Sequence, residues 1–480
     1  MTMYKIDDMR RNGILASSIG VTSVFCLALA PALPATAVPA APEAAAAAAH
    51  GAAARGTARA AVPGSTQSLP LVPLGDTRPR GRLAGPVREL GLSRTRVRPF
   101  SLLGVVWDDP RAELHGSAQV RTRSAATGAW SGWQDLETHH AGHGPDPSGT
   151  ERAGGPVRGA TAPLWVGGSD AVEVRVRADS AQGRQAAKPG RHTGRPLPAG
   201  LRLELVDPGD PAPAAGAGTV DDGAYTGGTT EAAMAASAAD AGLAPLGATV
   251  IPPAGREQTE RELSVLRGTD PELDRRAEPR IGPRPGIVTR RGWGADESLR
   301  ESGFGYTKRV DAVFVHHTAT GNAYTCAQAP SVVRSIYRYH ARSMGWRDIG
   351  YNFLIDKCGT VYEGRAGGVA RPVLGAHTLG FNSDTVGVAV IGTYSTARPS
   401  AAAVDAVARL AAWKLGLYGA DPRGHTYLTS GGGNLHQKGK NVRLHVISGH
   451  RDGFATDCPG GRLYGELGTI RTAAARYQGR

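Results

Sequence analysis

Long apolar runs are nearly absent from this 480-residue chain, and so is cysteine. After a stretch from about residue 14 to 33, no run reaches the roughly 20 apolar residues that a helix needs to cross a bilayer. An embedded membrane protein is therefore not expected. The early stretch follows Lys5, Arg10 and Arg11 and precedes Ala35-Thr36-Ala37, the layout of a secretory signal over residues 1–37. Arg10-Arg11 alone does not separate twin-arginine from general export. Cys26 lacks the small residue before it that a lipoprotein anchor requires. The expectation is a secreted protein, extracellular or associated with the cell wall.

Loss of the signal leaves three cysteines, Cys326, Cys358 and Cys458. An odd number in an oxidising compartment needs a use for the third thiol. A Cys326–Cys358 disulfide with Cys458 as a metal thiolate uses all three; two free thiols is the plain alternative. Acidic residues are also short, 42 against 55 Lys and Arg, a net charge of +13. That balance attracts anionic polymers. For an exported chain a phosphate- or carboxylate-rich wall polymer fits better than nucleic acid, and mere solubility is the other reading.

Glycine and proline are abundant instead, Gly 66 and Pro 33, about a fifth of the chain. They predict unstructured stretches at residues 38–67 and, as a linker with a short helix near 257–266, at 209–284. Between them, residues 68–208 alternate apolar and polar residues, as in Ala118-Gln119-Val120-Arg121 and Val172-Glu173-Val174-Arg175. Such alternation predicts an all-β, sandwich-like domain. Its tryptophans, among them Trp107, Trp130, Trp133 and Trp165, are read as core packing rather than a sugar-stacking platform. His139, His140 and His143 fall in a Gly/Pro loop and are expected to be solvated. The domain is assigned no activity.

Residues 285–480 alternate strands and helices, predicting an α/β domain with a central mixed sheet flanked by helices. Strands are expected at 312–316, 351–356, 361–363 and 385–391, with helices at 327–343, 401–417 and 462–477. Within this block, Val313-Phe314-Val315-His316-His317 ends a strand on two histidines that face opposite sides. Spacing alone does not say which would reach a metal. His450 precedes Cys458 by eight residues across a Gly-containing loop, enough to turn both side chains to one ion. Two histidines and a cysteine are three protein ligands, and a catalytic zinc takes three plus an open position.

The segments Arg291-Gly292-Trp293-Gly294-Ala295, Val315-His316-His317-Thr318, Gly345 through Phe353, Val361-Tyr362-Glu363-Gly364-Arg365, Gly375-Ala376-His377, Val386-Gly387-Val388 and Gly449-His450-Arg451 through Cys458-Pro459-Gly460 follow one another in order. On them the block resembles the peptidoglycan recognition protein and zinc-dependent N-acetylmuramoyl-L-alanine amidase family (amidase type 2), over roughly 40% of the chain. The resemblance implies zinc held by His316, His450 and Cys458. It implies a catalytic tyrosine at Tyr351 and an active-site residue at Thr456. Muramyl-peptide contacts are implied at His377, Asn382 and, more weakly, Arg365. His317 and His340 take structural places. The implied activity is cleavage of the amide between the lactyl group of N-acetylmuramic acid and L-alanine of peptidoglycan.

The sequence departs from the family pattern at the longer stretch 366–374 and at the Gly-rich insertion 423–442, read as a surface excursion rather than a substrate-gripping hairpin. His425, His436 and His445 receive no role. A non-catalytic peptidoglycan-binding receptor and a zinc peptidase on the stem peptide are the competing readings. A structural zinc would need a fourth ligand, and none of these motifs supplies one.

Overall fold

The computed structural model describes residues 64–74, 89–138, 142–146, 156–179, 196–210, 230–268 and 280–480. The expected signal and most of residues 38–67 lie outside this set. The β region starts earlier than expected, because Ser65–Pro70 pairs antiparallel with Arg202–Asp207 along its whole length.

The alternation at 68–208 does build strands. In Gly116–Ser124 the side chains of Ala118, Val120 and Thr122 are buried while Gln119, Arg121 and Arg123 point out. The fifteen-residue strand Leu164–Ala178 is shared. Its first part pairs with Phe100–Trp107, and its second lies between Glu89–Arg94 and Gly116–Ser124. The strands are therefore hydrogen-bonded into one nine-stranded sheet rather than two separate ones. Leu103, Val105, Trp107, Val174 and Leu203 share its core.

The run Phe100–Trp107 is apolar at nearly every position because both of its faces are covered. Leu103, Val105 and Trp107 face the β core. Leu102 and Val106 face the other way, into a cluster with Trp165, Val206, Val332, Val333, Ile336 and Trp346. That cluster joins the β domain to the amphipathic helix Ala329–Arg338 of the C-terminal domain. Gly104 is needed there, since a Cβ would sit 2.3 Å from the Tyr339 hydroxyl. The two domains thus share a core.

Two sequence expectations are corrected. Trp130 and Trp133 are not core residues; each is 37% exposed, and they stack on Arg121, with Arg175 4.1 Å above the Trp133 ring. The stretch 209–284 is not simply linker. Besides the expected short helix, found at Arg256–Leu266, Glu231–Ala238 is helical, and Val250–Ile251 adds an edge strand to the C-terminal sheet. Ile251 and Leu263 are fully buried, and that burial holds an Ala-rich segment in place.

The C-terminal sheet has seven strands, in the order Val250–Ile251, Ile287–Val288, Val361–Glu363, Phe353–Ile355, Thr385–Val390, Ala312–His317, Ile447–Gly449. The last three run parallel, and Phe353–Ile355 runs antiparallel only to Val361–Glu363. The helix Ala401–Leu417 starts as its sequence predicts, with the Ser400 hydroxyl accepting the Ala403 N–H. The insertion forms a hairpin, His425–Thr429 with Asn441–His445, whose Leu428, Val442 and Leu444 pack on Phe314 and Phe381. Cys326 and Cys358 are disulfide-bonded.

Candidate metal centre

His316 and His450 lie at the carboxyl ends of neighbouring parallel strands. Val315 is in register with Gly449, so the residue after each is carried to the same edge. Open α/β sheets place their ligands at such strand ends. The His316 and His450 rings stand 4.6 Å apart. Cys458 returns beside them, where its Sγ accepts the His317 N–H at 3.4 Å and lies 3.7 Å from His316 Nδ1. His317 points away: its Nδ1 accepts the Tyr394 N–H, and its Nε2 lies 3.7 Å from Glu137.

Beside these three donors stands a fourth that sequence reasoning assigned to solvent. Donor atoms of His143, His316, His450 and Cys458 all lie within 4.8 Å of one another, and all four residues are buried. His143 belongs to the β domain, so the expectation that its loop histidine is solvated, and that this domain contributes nothing, is corrected. His139 and His140 lie outside the described residues. Only three-dimensional docking brings His143 to residues more than 170 positions away; no local pattern marks it.

This donor set fits zinc, which takes imidazole nitrogen and thiolate sulfur in fours. Burial pushes the Cys458 thiol well above its usual range, so an ion is the compensating charge that would hold it as thiolate. The imidazoles are oriented from behind, as metal-binding histidines usually are. His316 Nε2 lies 3.2 Å from His377 Nδ1, leaving His316 Nδ1 toward Cys458. His450 Nε2 lies 3.1 Å from the carbonyl of Gly142. A carbonyl only accepts, so Nε2 carries the hydrogen and Nδ1 keeps the lone pair.

Tyr351 is buried with its ring 5.5 Å from that of His316, and burial holds its phenol far above the usual range. It is a neutral hydroxyl. His377 is fully buried behind His316 and pushed down to about 3, by burial first and then by the Arg365 charge. It is a neutral ring for which Gly387 leaves room, since a Cβ there would come 2.4 Å from the imidazole. Asn382 is buried too, its Oδ1 accepting the N–H groups of His377 and Thr378. Arg365 does not face the metal centre; its guanidinium donates to the carbonyls of Asp348, Ile349 and Leu374. The Thr456 hydroxyl accepts the Cys458 N–H at 3.3 Å and steadies the ligand loop. His340 accepts the Gly350 N–H and packs on Trp346. Glu137, also from the β domain, is a carboxylate whose charge reaches Tyr351 and Cys458, and no motif pointed to it.

Residues 306–461 match the N-acetylmuramoyl-L-alanine amidase family. The chain is 32% identical over 183 residues to peptidoglycan-recognition protein SC2 of Drosophila simulans, covering 38% of this chain and 85% of that protein. The chain belongs to the family of peptidoglycan-recognition proteins and type 2 amidases. It is also 34% identical over 183 residues to a peptidoglycan recognition protein of Trichoplusia ni, of which it covers 85%. Among solved structures, wild-type Drosophila PGRP-LB is 27% identical, with 38% of this chain and 92% of that chain covered and a TM-score of 0.31. Residues 50–195 match the Rv3811 N-terminal galactose-binding domain-like family. The protein therefore joins a galactose-binding-like β domain to a type 2 amidase domain, and its family performs peptidoglycan recognition or amide hydrolysis.

Proposed function

We propose that this protein is a secreted zinc hydrolase, an N-acetylmuramoyl-L-alanine amidase acting on peptidoglycan. The observation that carries the reading is the buried convergence of His316, His450 and Cys458 at the carboxyl edge of the sheet. A family member that only binds muramyl peptide has no need of a buried thiol beside two imidazoles.

In this reading His316, His450 and Cys458 hold zinc, which supplies Lewis acidity toward the scissile carbonyl and lowers the pKa of water. The protein's own groups do the rest. His377 fixes the tautomer of His316. Tyr351 donates its hydroxyl hydrogen to the oxyanion that develops as the amide carbon becomes tetrahedral. Thr456 orients substrate at the mouth, where its side chain is half-buried. Water adds across the amide, the C–N bond breaks, and the products are a lactyl carboxylate and a free alanine amine. His377, Asn382 and Arg365 shape the muramyl-peptide groove from beneath its surface. The net charge of +13 suits anionic wall polymers as a second contact. Among the described residues no helix is long and apolar enough to cross a membrane, in keeping with a wall-associated or extracellular enzyme.

The test is mass spectrometry of purified muropeptides after incubation with the zinc-loaded full chain, in wild-type and His143→Ala forms, with and without chelator. The full chain is required because the amidase helix shares its core with the β domain. Chelator-sensitive release of an intact stem peptide with a free alanine amine is expected from the His143→Ala form. Shorter peptides would indicate a peptidase. Binding without product in both forms would indicate a receptor.

A further inference from the structure

Residues 142–146 of the β domain lie across the metal centre, and every described residue of that segment is bonded, buried or both. The His143 ring stands 4.3 Å from that of His450, 5.3 Å from His316 and 6.0 Å from Tyr351. Gly142 accepts the Leu379 N–H at 2.9 Å as well as His450 Nε2. Only glycine fits there, since a Cβ would come 2.4 Å from the Phe454 ring. Asp146 Oδ1 accepts the Gly380 N–H at 2.6 Å and Asn382 Nδ2 at 2.9 Å, and the Gly144 carbonyl accepts Asn382 Nδ2 as well. Asn382, the residue the family resemblance gives to substrate, is thus held by the loop.

Three protein donors leave a catalytic zinc one open position; a fourth closes it. We propose that His143 is a fourth metal ligand supplied by the β domain, so that the full chain carries a closed three-histidine, one-cysteine site. Residues 142–146 then act as a built-in plug of the groove. The inference rests on the zinc reading above. Donor atoms within 4.8 Å of one another come together around an ion with bonds of about 2.0–2.3 Å after small side-chain rotations. The Gly142 carbonyl presents the correct nitrogen of His450, and Asp146 pins the far end of the loop to Gly380 and Asn382. The metal and the peptide groove are covered by the same five residues, so releasing the segment opens both at once. Hydrolysis by the full chain then requires an event at the β domain that displaces it, and the amidase stays latent until that event.

Zinc K-edge X-ray absorption on the zinc-loaded full chain tests this by counting imidazole and sulfur neighbours. Wild type is expected to show three imidazoles and one sulfur. His143→Ala is expected to show two imidazoles, one sulfur and a solvent position. It should also lose zinc to a chelator about 10–100-fold faster and cleave muropeptides faster than wild type. Asp146→Ala keeps all four donors and should retain the wild-type count while losing zinc faster. Two imidazoles in wild type would overturn the inference and leave the amidase reading intact. So would three retained in His143→Ala, since the third would then be another ring such as His377. A chain that binds no zinc in either form would remove the zinc reading itself. If His143→Ala does not fold, the wild-type count and Asp146→Ala decide alone.

Discussion

The β domain and the amidase domain differ in how their chemistry is encoded. In the amidase domain the functional side chains follow from local geometry: His316 lies in the last two residues of its strand, His450 directly follows the neighbouring strand, the two strands are parallel and in register, and Cys458 closes the next loop. In the β domain the strands are regular, yet His143 and Glu137 acquire their surroundings only because strand Phe100–Trp107 buries its second face against helix Ala329–Arg338. A side chain positioned by domain docking leaves no spacing to find. The role of a histidine in a Gly/Pro loop is therefore set by the surface on which that loop docks.

The largest expected effect falls within the amidase domain. Placed on the open His143→Ala form, Cys458→Ser should take bound zinc from one equivalent to none, and hydrolysis to background, measured by elemental analysis and muropeptide assay; full turnover without the thiol would break the proposed mechanism. Next is the shared core. Trp165→Ala, in the β domain, should cost about 3–5 kcal/mol and lower the midpoint of a single denaturation transition seen by both near- and far-ultraviolet circular dichroism. Two separate transitions would show that the domains do not share a core. Tyr351→Phe should keep zinc and lower kcat by about 10²–10³-fold, measured on the chain with its loop open.

The smallest effect concerns pH. Glu204 is buried at the domain junction, where its Oε2 accepts the Ser343 hydroxyl, and burial raises its pKa. A carboxyl raised on folding contributes stability that is full below its unfolded pKa and is lost as pH rises through the folded value. Glu204→Gln keeps the neutral form at every pH. It should therefore gain stability over wild type at pH 7.5 and gain little near pH 4, measured by thermal unfolding at the two values.

Much of the amidase domain was legible in the sequence. The apolar strands, the Ser400 cap and the bounds of Ala401–Leu417 follow from periodicity and capping chemistry, and the family motifs set out its site. The structure moved Arg365 onto backbone carbonyls and turned the Gly-rich insertion into a hairpin, because long-range burial of Leu428 and Val442 decides that and the glycines do not announce it. In the β domain the alternation was legible but the faces were not. Trp130 and Trp133 read as core, whereas they stack outward on Arg121, a cation–π arrangement that period-two patterning cannot separate from burial. Apart from the helix near 257–266, the Ala-rich stretch 230–268 read as linker since alanine gives weak hydrophobic contrast, and its core anchors Ala244, Ile251 and Leu263 are scattered along it.

The most direct measurement is zinc-edge anomalous diffraction from crystals of the zinc-loaded full chain. One strong peak is expected among His316, His450, Cys458 and His143, with residues 142–146 seated on Gly380 and Asn382. No peak at these residues, or a peak with His143 turned to solvent, would contradict the claim that two domains build one metal centre.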